Sequence, residues 1–295
     1  MFPSRFRYEA PRSLDEAISL LGDGGDYAKV LAGGQSLVPM MKLRFASPEL
    51  LVDINDLPGL AYHHVDAGGS LRIGALCRHA DLEFSGLLKD TQPTMAAAAP
   101  LVADPLVRNR GTLVGSLCHA DPQGDWASVM LALGGSVVAA GPRGRREIPL
   151  ADFVTGPFQN VLGHDEIAVE AVVPPARGTR AGGYLKLERR VGDFATVGTA
   201  VAIETADGTV TRAGVALTGV GGSTIGATDA AAALVGQRLT ADVIAEAAEL
   251  AAAAAQPRTD HRGSASYKRQ LVRVFVRRIL AGTEASLEAQ SERAA

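Results

Sequence analysis

The segment at residues 29–37, which reads KVLAGGQSL, restricts the fold more than any other part of the chain. Its short apolar run predicts a strand, Gly33 and Gly34 break that run, and Ser36 predicts the capped start of a helix. Glycines permit a tight turn and remove the side chains that would keep an anion away from backbone N–H groups. We therefore predict that residues 31–37, called segment A below, form one half of a pyrophosphate-binding site.

A second stretch, residues 108–117 (RNRGTLVGSL), has the same organisation and is called segment B. Either segment alone is also typical of an ordinary connection between a strand and a helix, in which glycine serves only the turn. Two such segments in one chain favour a dinucleotide bound between two subdomains. A nicotinamide-binding Rossmann domain is disfavoured, because neither segment has the spacing Gly-x-Gly-x-x-Gly.

Charge and cysteine content exclude several classes of function. The chain has 295 residues and a net charge of −3, with acidic and basic residues interspersed, which disfavours a nucleic-acid surface. No apolar run approaches the ~18 residues of a membrane span, and the N-terminal residues lack the apolar core of a secretory signal, so the cytoplasm is the expected compartment. Cys77 and Cys118 form no Cys-x-x-Cys pair, and the histidines show no ligand spacing, so we expect no metal site on this chain.

The order of predicted elements indicates an α+β chain of three parts and a tail. Ser13 and Glu16 form a capping box, which predicts a helix to about Leu21. The two prolines at residues 174–178 (PPARG) predict a linker. We expect subdomains at 1–57 and 58–175, a C-terminal α+β domain at 179–282, and a frayed tail at 283–295. Predicted helices are at 37–44, 79–89, 91–102, 228–234, 242–255 and 265–280, and an antiparallel sheet is predicted from strands at 183–187, 196–204 and 210–218.

Six motifs occur in a fixed order along nearly the whole chain: LAGGQSLVPMMKLR, LLVDI, VRNRGTLVGSLCHADPQGDW, DEIAVEAVVP, YLKLERRVGDFATVGTAV and SASYKRQLVRVFVRRIL. Together they resemble the flavin-binding subunit of the molybdenum hydroxylases, the family of xanthine dehydrogenase, aerobic carbon monoxide dehydrogenase, and nicotine and caffeine dehydrogenases. The resemblance implies an FAD-binding domain of the p-cresol-methylhydroxylase type in two subdomains. It also implies a C-terminal domain of the carbon monoxide dehydrogenase flavoprotein type.

The resemblance also assigns roles to individual residues. Segment A would contact the FAD pyrophosphate from one side, through Leu31, Ala32, Gly33, Gly34, Gln35, Ser36 and Leu37. Segment B would contact it from the other side, through Thr112, Gly115 and Ser116, with Val114 between them. Asp125 would hydrogen-bond the sugar-like chain of the flavin, Ile167 would pack near the adenine, and Lys186 would approach the cofactor. The alternatives are a helix-start carboxylate for Asp125 and a solvated strand lysine for Lys186.

Three positions depart from the family pattern. Val114 replaces a glycine, so a β-branched side chain lies where close approach and a positive φ are expected, and the turn must be altered or one amide left unused. Gln35 stands where related flavin oxidases have a histidine that anchors FAD, so FAD should be bound non-covalently. Gly192-Asp193-Phe194 stands where carbon monoxide dehydrogenases have Gly-Asp-Tyr. The position of Gln35 is also commonly histidine in those enzymes. Both differences weaken an assignment to carbon monoxide dehydrogenase in particular.

The resemblance implies an electron-transfer subunit. FAD would take electrons from [2Fe-2S] clusters on a small partner subunit, fed by a molybdenum cofactor on a large one, and pass them to an external acceptor. A dimer of heterotrimers is the expected assembly, in the cytoplasm or held by partners at the inner face of the membrane. Carbon monoxide, N-heterocycles such as nicotine, caffeine or purines, and aldehydes are candidate substrates of the whole enzyme. The alternatives are a self-sufficient flavin oxidase of the same fold and a non-catalytic binding module.

Overall fold

The computed structural model describes residues 2–294, with side chains described through residue 285 and at Leu287. The N-terminal part contains β1 (Arg7–Glu9), α1 (Leu14–Gly24), β2 (Ala28–Leu31), α2 (Leu37–Lys42) and β3 (Leu50–Asp53). The strands form a parallel sheet in the order β1-β3-β2. Segment A therefore leaves the same edge of the sheet as Asn55, which follows the carboxyl end of β3.

The two predicted helix starts in this part differ in outcome. Ser13 caps α1 as predicted, because its hydroxyl accepts a hydrogen bond from Glu16 N at 3.2 Å. The other half of the predicted capping box is absent, since the Glu16 carboxylate accepts from Arg12 N at 2.8 Å and not from Ser13 N. The helix runs beyond the predicted Leu21 and ends where Gly25 adopts a φ of 54°. The prediction that Ser36 caps α2 is wrong, since its backbone is already helical and its side chain makes no capping bond. The chain instead turns at Gly34, whose φ is 73°.

The second part carries a five-stranded antiparallel sheet in the order β4-β5-β10-β6-β7. The helices predicted at 79–89 and 91–102 are broken into shorter ones, because Ser85 caps a new helix through Leu88 N and Pro93 begins the next. The elements are β4 (His63–Val65), β5 (Leu71–Gly74), α3 (His79–Glu83), α4 (Gly86–Thr91), α5 (Pro93–Ala98), α6 (Pro105–Arg108), α7 (Leu113–His119), α8 (Asp125–Ala132), β6 (Ser136–Gly141), β7 (Gly144–Pro149), α9 (Leu150–Phe153), β8 (Val154–Gly156), β9 (Gln159–Asn160) and β10 (Ile167–Val173).

The C-terminal part is the predicted antiparallel sheet covered by helices, with strands in the order β11-β12-β13-β14. Its elements are β11 (Thr179–Leu187), β12 (Val197–Ala206), β13 (Thr209–Thr218), β14 (Ile225–Gly226), α10 (Thr228–Leu234), α11 (Ala241–Ala254) and α12 (Ala265–Ala294). Residues 283–294, predicted as a frayed tail, continue α12 as helix. At that junction Thr283 is buried and its hydroxyl donates to Ile279 O at 2.8 Å, whereas residue 295 lies outside the described residues.

The C-terminal sheet separates two apolar cores. Ala200 and Ala202 of β12 belong to the core shared with the FAD-binding part, whereas Val201 and Ile203 face the core under α11 and α12. This alternation follows from the two-residue period of a strand. Strand β11 packs against α5, and β13 packs against α8. Tyr184 of β11 belongs to the core shared with these helices, and its hydroxyl reaches Asp125 at the start of α8. Within residues 2–294, no helix has the length and apolar content needed to cross a membrane.

Candidate cofactor site between segments A and B

Segment A presents a row of unpaired donors. The backbone N–H groups of residues 33–37 have no hydrogen-bond acceptor within residues 2–294. Two carbonyls of the same segment are occupied by the next turn of chain, since Gly34 O accepts from Val38 N at 3.0 Å and Ser36 O from Met40 N at 3.2 Å. Successive free N–H groups around a left-handed glycine form a concave anion-binding surface. Segment A thus has the donors that a phosphate group requires.

Segments A and B touch each other through Gly33. A Cβ atom on Gly33 would lie 2.3 Å from the carbonyl oxygen of Arg110 and 2.7 Å from the α-carbon of Gly111. Real Cβ contacts with backbone are not this short, so the approach of the two segments requires glycine at position 33. The segments predicted to share one ligand are therefore adjacent.

Segment B offers fewer free donors than its sequence predicts. Thr112 caps α7, with its hydroxyl accepting a hydrogen bond from Gly115 N at 3.1 Å, while Thr112 O accepts from Ser116 N at 3.0 Å. The amides of Gly115 and Ser116 are consequently engaged within the protein. The Ser116 hydroxyl has no partner within residues 2–294, and a Cβ atom on Gly124 would lie 3.9 Å from it. Ser116 is therefore the side chain of segment B best placed to donate, next to the start of α8.

The strain expected at Val114 does not arise. Val114 lies in the first turn of α7, outside the residues with positive φ, and is 2% exposed. Its side chain belongs to the core of the FAD-binding part. A helical valine needs no special backbone angles, so the turn around it is not altered in the way the sequence suggests.

Asp125 is the centre of a buried polar cluster. Its Oδ1 accepts a hydrogen bond from the Tyr184 hydroxyl at 2.6 Å, and its Oδ2 lies 3.2 Å from Lys186 Nζ. Both residues are almost fully buried, since Asp125 is 7% exposed and Tyr184 is 3% exposed. Burial raises the pKa of the Asp125 carboxyl, although Lys186 and Tyr184 favour its charged form. Burial and Asp125 likewise raise the pKa of Tyr184.

Lys186 is not a solvated strand lysine, because its side chain is 1% exposed. Besides Asp125, its ammonium donates to Leu101 O at 2.8 Å and lies 3.2 Å from Glu188 Oε2. The lysine thus joins β11 to the start of α8 and to the turn after α5. Ala103, two residues beyond Leu101, has a φ of 48°, which is uncommon outside glycine. The structure therefore pairs Asp125 with Lys186, a contact that the sequence does not indicate.

Ile167 lies apart from this cluster. It is 2% exposed at the start of β10 and belongs to the core of the FAD-binding part, although β10 packs against α7. Such burial leaves its side chain little apolar surface for an adenine ring.

The buried side chain of His79 packs against segment B. Trp126 Nε1 donates to His79 Nδ1 at 2.9 Å, and the two rings stack. His79 N donates to Gly111 O at 2.9 Å, and a Cβ atom on Gly111 would lie 2.7 Å from the imidazole. Burial, with Arg108 and Arg78 nearby, lowers the pKa of His79 to about 4. The imidazole is therefore neutral at pH 7 and packs against Gly111 of segment B.

Sequence reasoning missed four residues around the site, namely Asn55, Arg78, His79 and Tyr184. Only two carried a readable signal. Tyr184 shares a strand face with Lys186, because residues two apart on a strand point to the same side. Asn55 is the first polar residue after the buried strand β3, at the edge where segment A also begins. Within residues 2–294, no group of three or more His, Cys, Asp and Glu side chains is arranged to hold a metal ion.

Comparison with known proteins places the chain in a family. Residues 4–176 match the model described as the FAD binding domain in molybdopterin dehydrogenase, and residues 183–283 match the CO dehydrogenase flavoprotein C-terminal domain. The carbon monoxide dehydrogenase medium chain of Hydrogenophaga pseudoflava is 41% identical over 281 residues, covering 95% of this chain and 97% of that protein. The nicotine 6-hydroxylase medium subunit of Paenarthrobacter nicotinovorans is 36% identical, covering 93% of this chain and 95% of that protein.

Solved structures agree with the sequence comparison. Carbon monoxide dehydrogenase from Hydrogenophaga pseudoflava superimposes with a TM-score of 0.92 at 42% identity, covering 97% of this chain and 99% of that one. Quinoline 2-oxidoreductase from Pseudomonas putida 86 superimposes with a TM-score of 0.88 at 31% identity, with the same coverage. The predicted fold class is confirmed, with a two-part FAD-binding domain followed by a flavoprotein C-terminal domain. The chain belongs to the family of FAD-binding medium subunits of the molybdenum hydroxylases.

Proposed function

We propose that segments A and B bind the pyrophosphate of FAD between them, and that the chain passes electrons from a partner's iron–sulfur clusters to an external acceptor. The observation that carries the first part is the row of unpaired N–H groups at residues 33–37, adjacent to segment B. Two phosphate charges in a cleft require donors without bulk, and backbone amides meet that requirement. Membership of the family supports the proposed partner and acceptor roles.

The residues of the site fit FAD in kind and in placement. Segment A supplies amide donors, Ser116 supplies a hydroxyl, and Asp125 supplies a carboxylate held in place by Tyr184 and Lys186. A carboxylate with one oxygen bonded to each neighbour retains lone pairs that can accept from a ligand hydroxyl. Gln35 offers no nucleophile, so acid denaturation should release intact FAD. Bound FAD supplies the redox chemistry, and these residues bind it, orient it and keep water away.

The substrate of the assembled enzyme is proposed only by class. Relatives of similar length are named for carbon monoxide, nicotine and glyceraldehyde oxidation. We infer that the substrate of this enzyme is likewise carbon monoxide, an N-heterocycle or an aldehyde, oxidised at a molybdenum site on the large partner subunit. In this division of labour the present chain needs no acid–base pair of its own.

One pair of glycine variants tests the pyrophosphate assignment. Gly34 and Gly69 both have positive φ, 73° and 83°, and a Cβ atom on either would meet side-chain carbons at 3.1 to 3.3 Å. Their backbone strain and crowding are thus closely matched. Gly34→Asp should abolish measurable FAD binding, because its carboxylate repels phosphate, whereas Gly69→Asp should retain it. Equal losses in titrations of FAD into the two stripped proteins would show that segment A does not bind phosphate.

The partner assignment is tested on protein purified from its native source. We expect the chain to co-purify with two other subunits, in a complex that contains iron, molybdenum and one FAD for each copy of the chain. The isolated FAD-loaded chain should not oxidise small alcohols or amines at the expense of oxygen. Rapid oxidation without partners would identify a self-sufficient flavin oxidase, and a colourless chain with no affinity for FAD would identify a non-catalytic binding module.

A further inference from the structure

Two polar side chains connect segment A to segment B. Asn55 Nδ2 donates to Ala32 O at 2.8 Å, immediately before Gly33. Arg78 Nη2 donates to Asn55 Oδ1 at 2.6 Å, and Arg78 Nη1 donates to Arg110 O at 2.6 Å, immediately before Gly111. We call this chain of three hydrogen bonds the Asn55–Arg78 bridge. It joins the two carbonyls that flank the close contact between Gly33 and Gly111.

The bridge determines where an amide of segment A points. In a trans peptide, the carbonyl and the following N–H point in opposite directions. Anchoring Ala32 O on Asn55 therefore directs the N–H of Gly33 away from Asn55, toward the free face of segment A. On the other side, anchoring Arg110 O fixes the peptide against which Gly33 packs. The Asn55 end of the bridge orients the N–H of Gly33, and the Arg78 end holds the Arg110 peptide against which Gly33 packs.

Both side chains of the bridge are themselves held. Asp53 Oδ1 accepts from Asn55 N at 2.9 Å and from Asn55 Nδ2 at 2.5 Å, which fixes the orientation of the amide. The backbone of Arg78 is fixed at the start of α3, because Arg78 N donates to Asp81 Oδ2 at 2.9 Å. A guanidinium presents its donors in a rigid planar fork, so it can hold two acceptors at a set separation in a way that an ammonium cannot.

We propose that Asn55 and Arg78 are positioning residues that hold segments A and B at the separation required by a pyrophosphate. The inference rests on the proposed function, since it assumes that one ligand contacts both segments. It differs from a role for the charge of Arg78 alone, in which the cation attracts phosphate and a lysine would serve as well.

The test uses the full chain, stripped of FAD, with the variants Asn55→Ala, Arg78→Gln, Arg78→Lys and the double variant Asn55→Ala/Arg78→Gln. Each single change should weaken FAD by at least about tenfold, because the two segments are then no longer held at one separation. Arg78→Lys should lose as much as Arg78→Gln. The double variant should be no weaker than the weaker single one, because both changes break the same bridge. The control Arg143→Gln removes one exposed positive charge elsewhere and should bind FAD as the wild type does.

A second ligand separates positioning from general damage to the fold. AMP carries one phosphate and does not need both segments, so its affinity should change far less than that of FAD in Arg78→Gln. A parallel loss of AMP and FAD would show a merely structural role and overturn the proposal. So would wild-type affinity in Arg78→Lys, or losses that multiply in the double variant. These outcomes are distinct from failure of the proposed function, which Gly34→Asp tests by itself.

Discussion

Gly33 lies so close to Gly111 that a Cβ atom on Gly33 would come within 2.7 Å of the Gly111 α-carbon. The first glycine of segment A is therefore required by contact with segment B, whereas Gly34, with a φ of 73°, is required by the turn itself. The two adjacent glycines of segment A are therefore required for different physical reasons. Only together do they bring the unpaired N–H groups of residues 33–37 up to segment B.

Gly33→Ala should lower FAD affinity at least about tenfold, because the added methyl group meets backbone atoms that cannot rotate away and the segments must separate. Gly86→Ala is the matched control, since its Cβ would meet no atom within 4 Å and its φ is not positive. Titration of both stripped variants with FAD, followed by flavin fluorescence, measures the difference. Unchanged affinity in Gly33→Ala would mean that the separation of the segments does not control binding.

Ser116 and Val114 are close in sequence but should respond to substitution in opposite ways. Ser116→Ala should weaken FAD by about ten- to a hundredfold with little effect on stability, because it removes an unpartnered hydroxyl that would donate to the charged pyrophosphate. Val114→Gly should lower the free energy of unfolding by about 3 kcal/mol, because it leaves a cavity in the core and puts glycine in a helix. Its folded form should bind FAD almost normally. Urea unfolding and FAD titration of each variant measure the two effects. A loss of stability in Ser116→Ala together with a loss of FAD affinity in Val114→Gly would contradict this assignment.

The Asp125 cluster predicts a non-additive pair of variants. Lys186→Met should destabilise the stripped protein by about 3–5 kcal/mol, since it leaves the Asp125 carboxylate buried without its cation. Asp125→Asn/Lys186→Met should be more stable than Lys186→Met alone, because the amide oxygen still accepts from Tyr184 and only the Glu188 carboxylate, which is 19% exposed, is left without its cation. Urea unfolding at pH 7.5 measures all three proteins. A double variant less stable than Lys186→Met would show that the ion pair is not what stabilises this cluster.

The sequence predicts the features of this protein that depend on local pattern. The helix cap at Ser13, the three long C-terminal strands and the glycines of segments A and B all rest on neighbours a few residues apart. The Ser36 cap failed because the tight turn at Gly34 already places the backbone of Ser36 in a helical conformation. A serine in the right place was not sufficient evidence of a cap.

The contacts that organise the site join distant parts of the chain. The hydrogen bond from Asn55 to Ala32 spans 23 residues, that from Arg78 to Arg110 spans 32, and that from Tyr184 to Asp125 spans 59. No periodicity or local motif encodes such pairs, because they exist only once the sheets are packed against one another. Family resemblance located Asp125 and Lys186 as single positions, but only the structure shows that each satisfies the other.

The chain's single tryptophan gives a direct measurement of the state of His79, since Trp126 Nε1 donates to His79 Nδ1. Burial, reinforced by Arg108 and Arg78, lowers the pKa of His79 to about 4 in the folded protein. Protonation of Nδ1 would break this hydrogen bond and place a cation against the indole. Native-state tryptophan fluorescence should therefore titrate with a midpoint near 4, well below the ordinary value of about 6.5 for histidine.

The same shift predicts how stability depends on pH. Between about pH 6.5 and 4 the unfolded chain binds a proton at His79 and the folded chain does not, so stability is present above this range and is lost as pH falls through it. The loss attributable to His79 amounts to about 3 kcal/mol. His79→Gln should remove that part of the pH dependence, while the contributions of Asp125 and His119 remain in both proteins and cancel in the comparison. Urea unfolding of wild type and variant at pH 7.5, 6 and 5 checks this. Identical pH slopes, or a tryptophan titration centred near 6.5, would show that His79 is not held neutral beneath segment B.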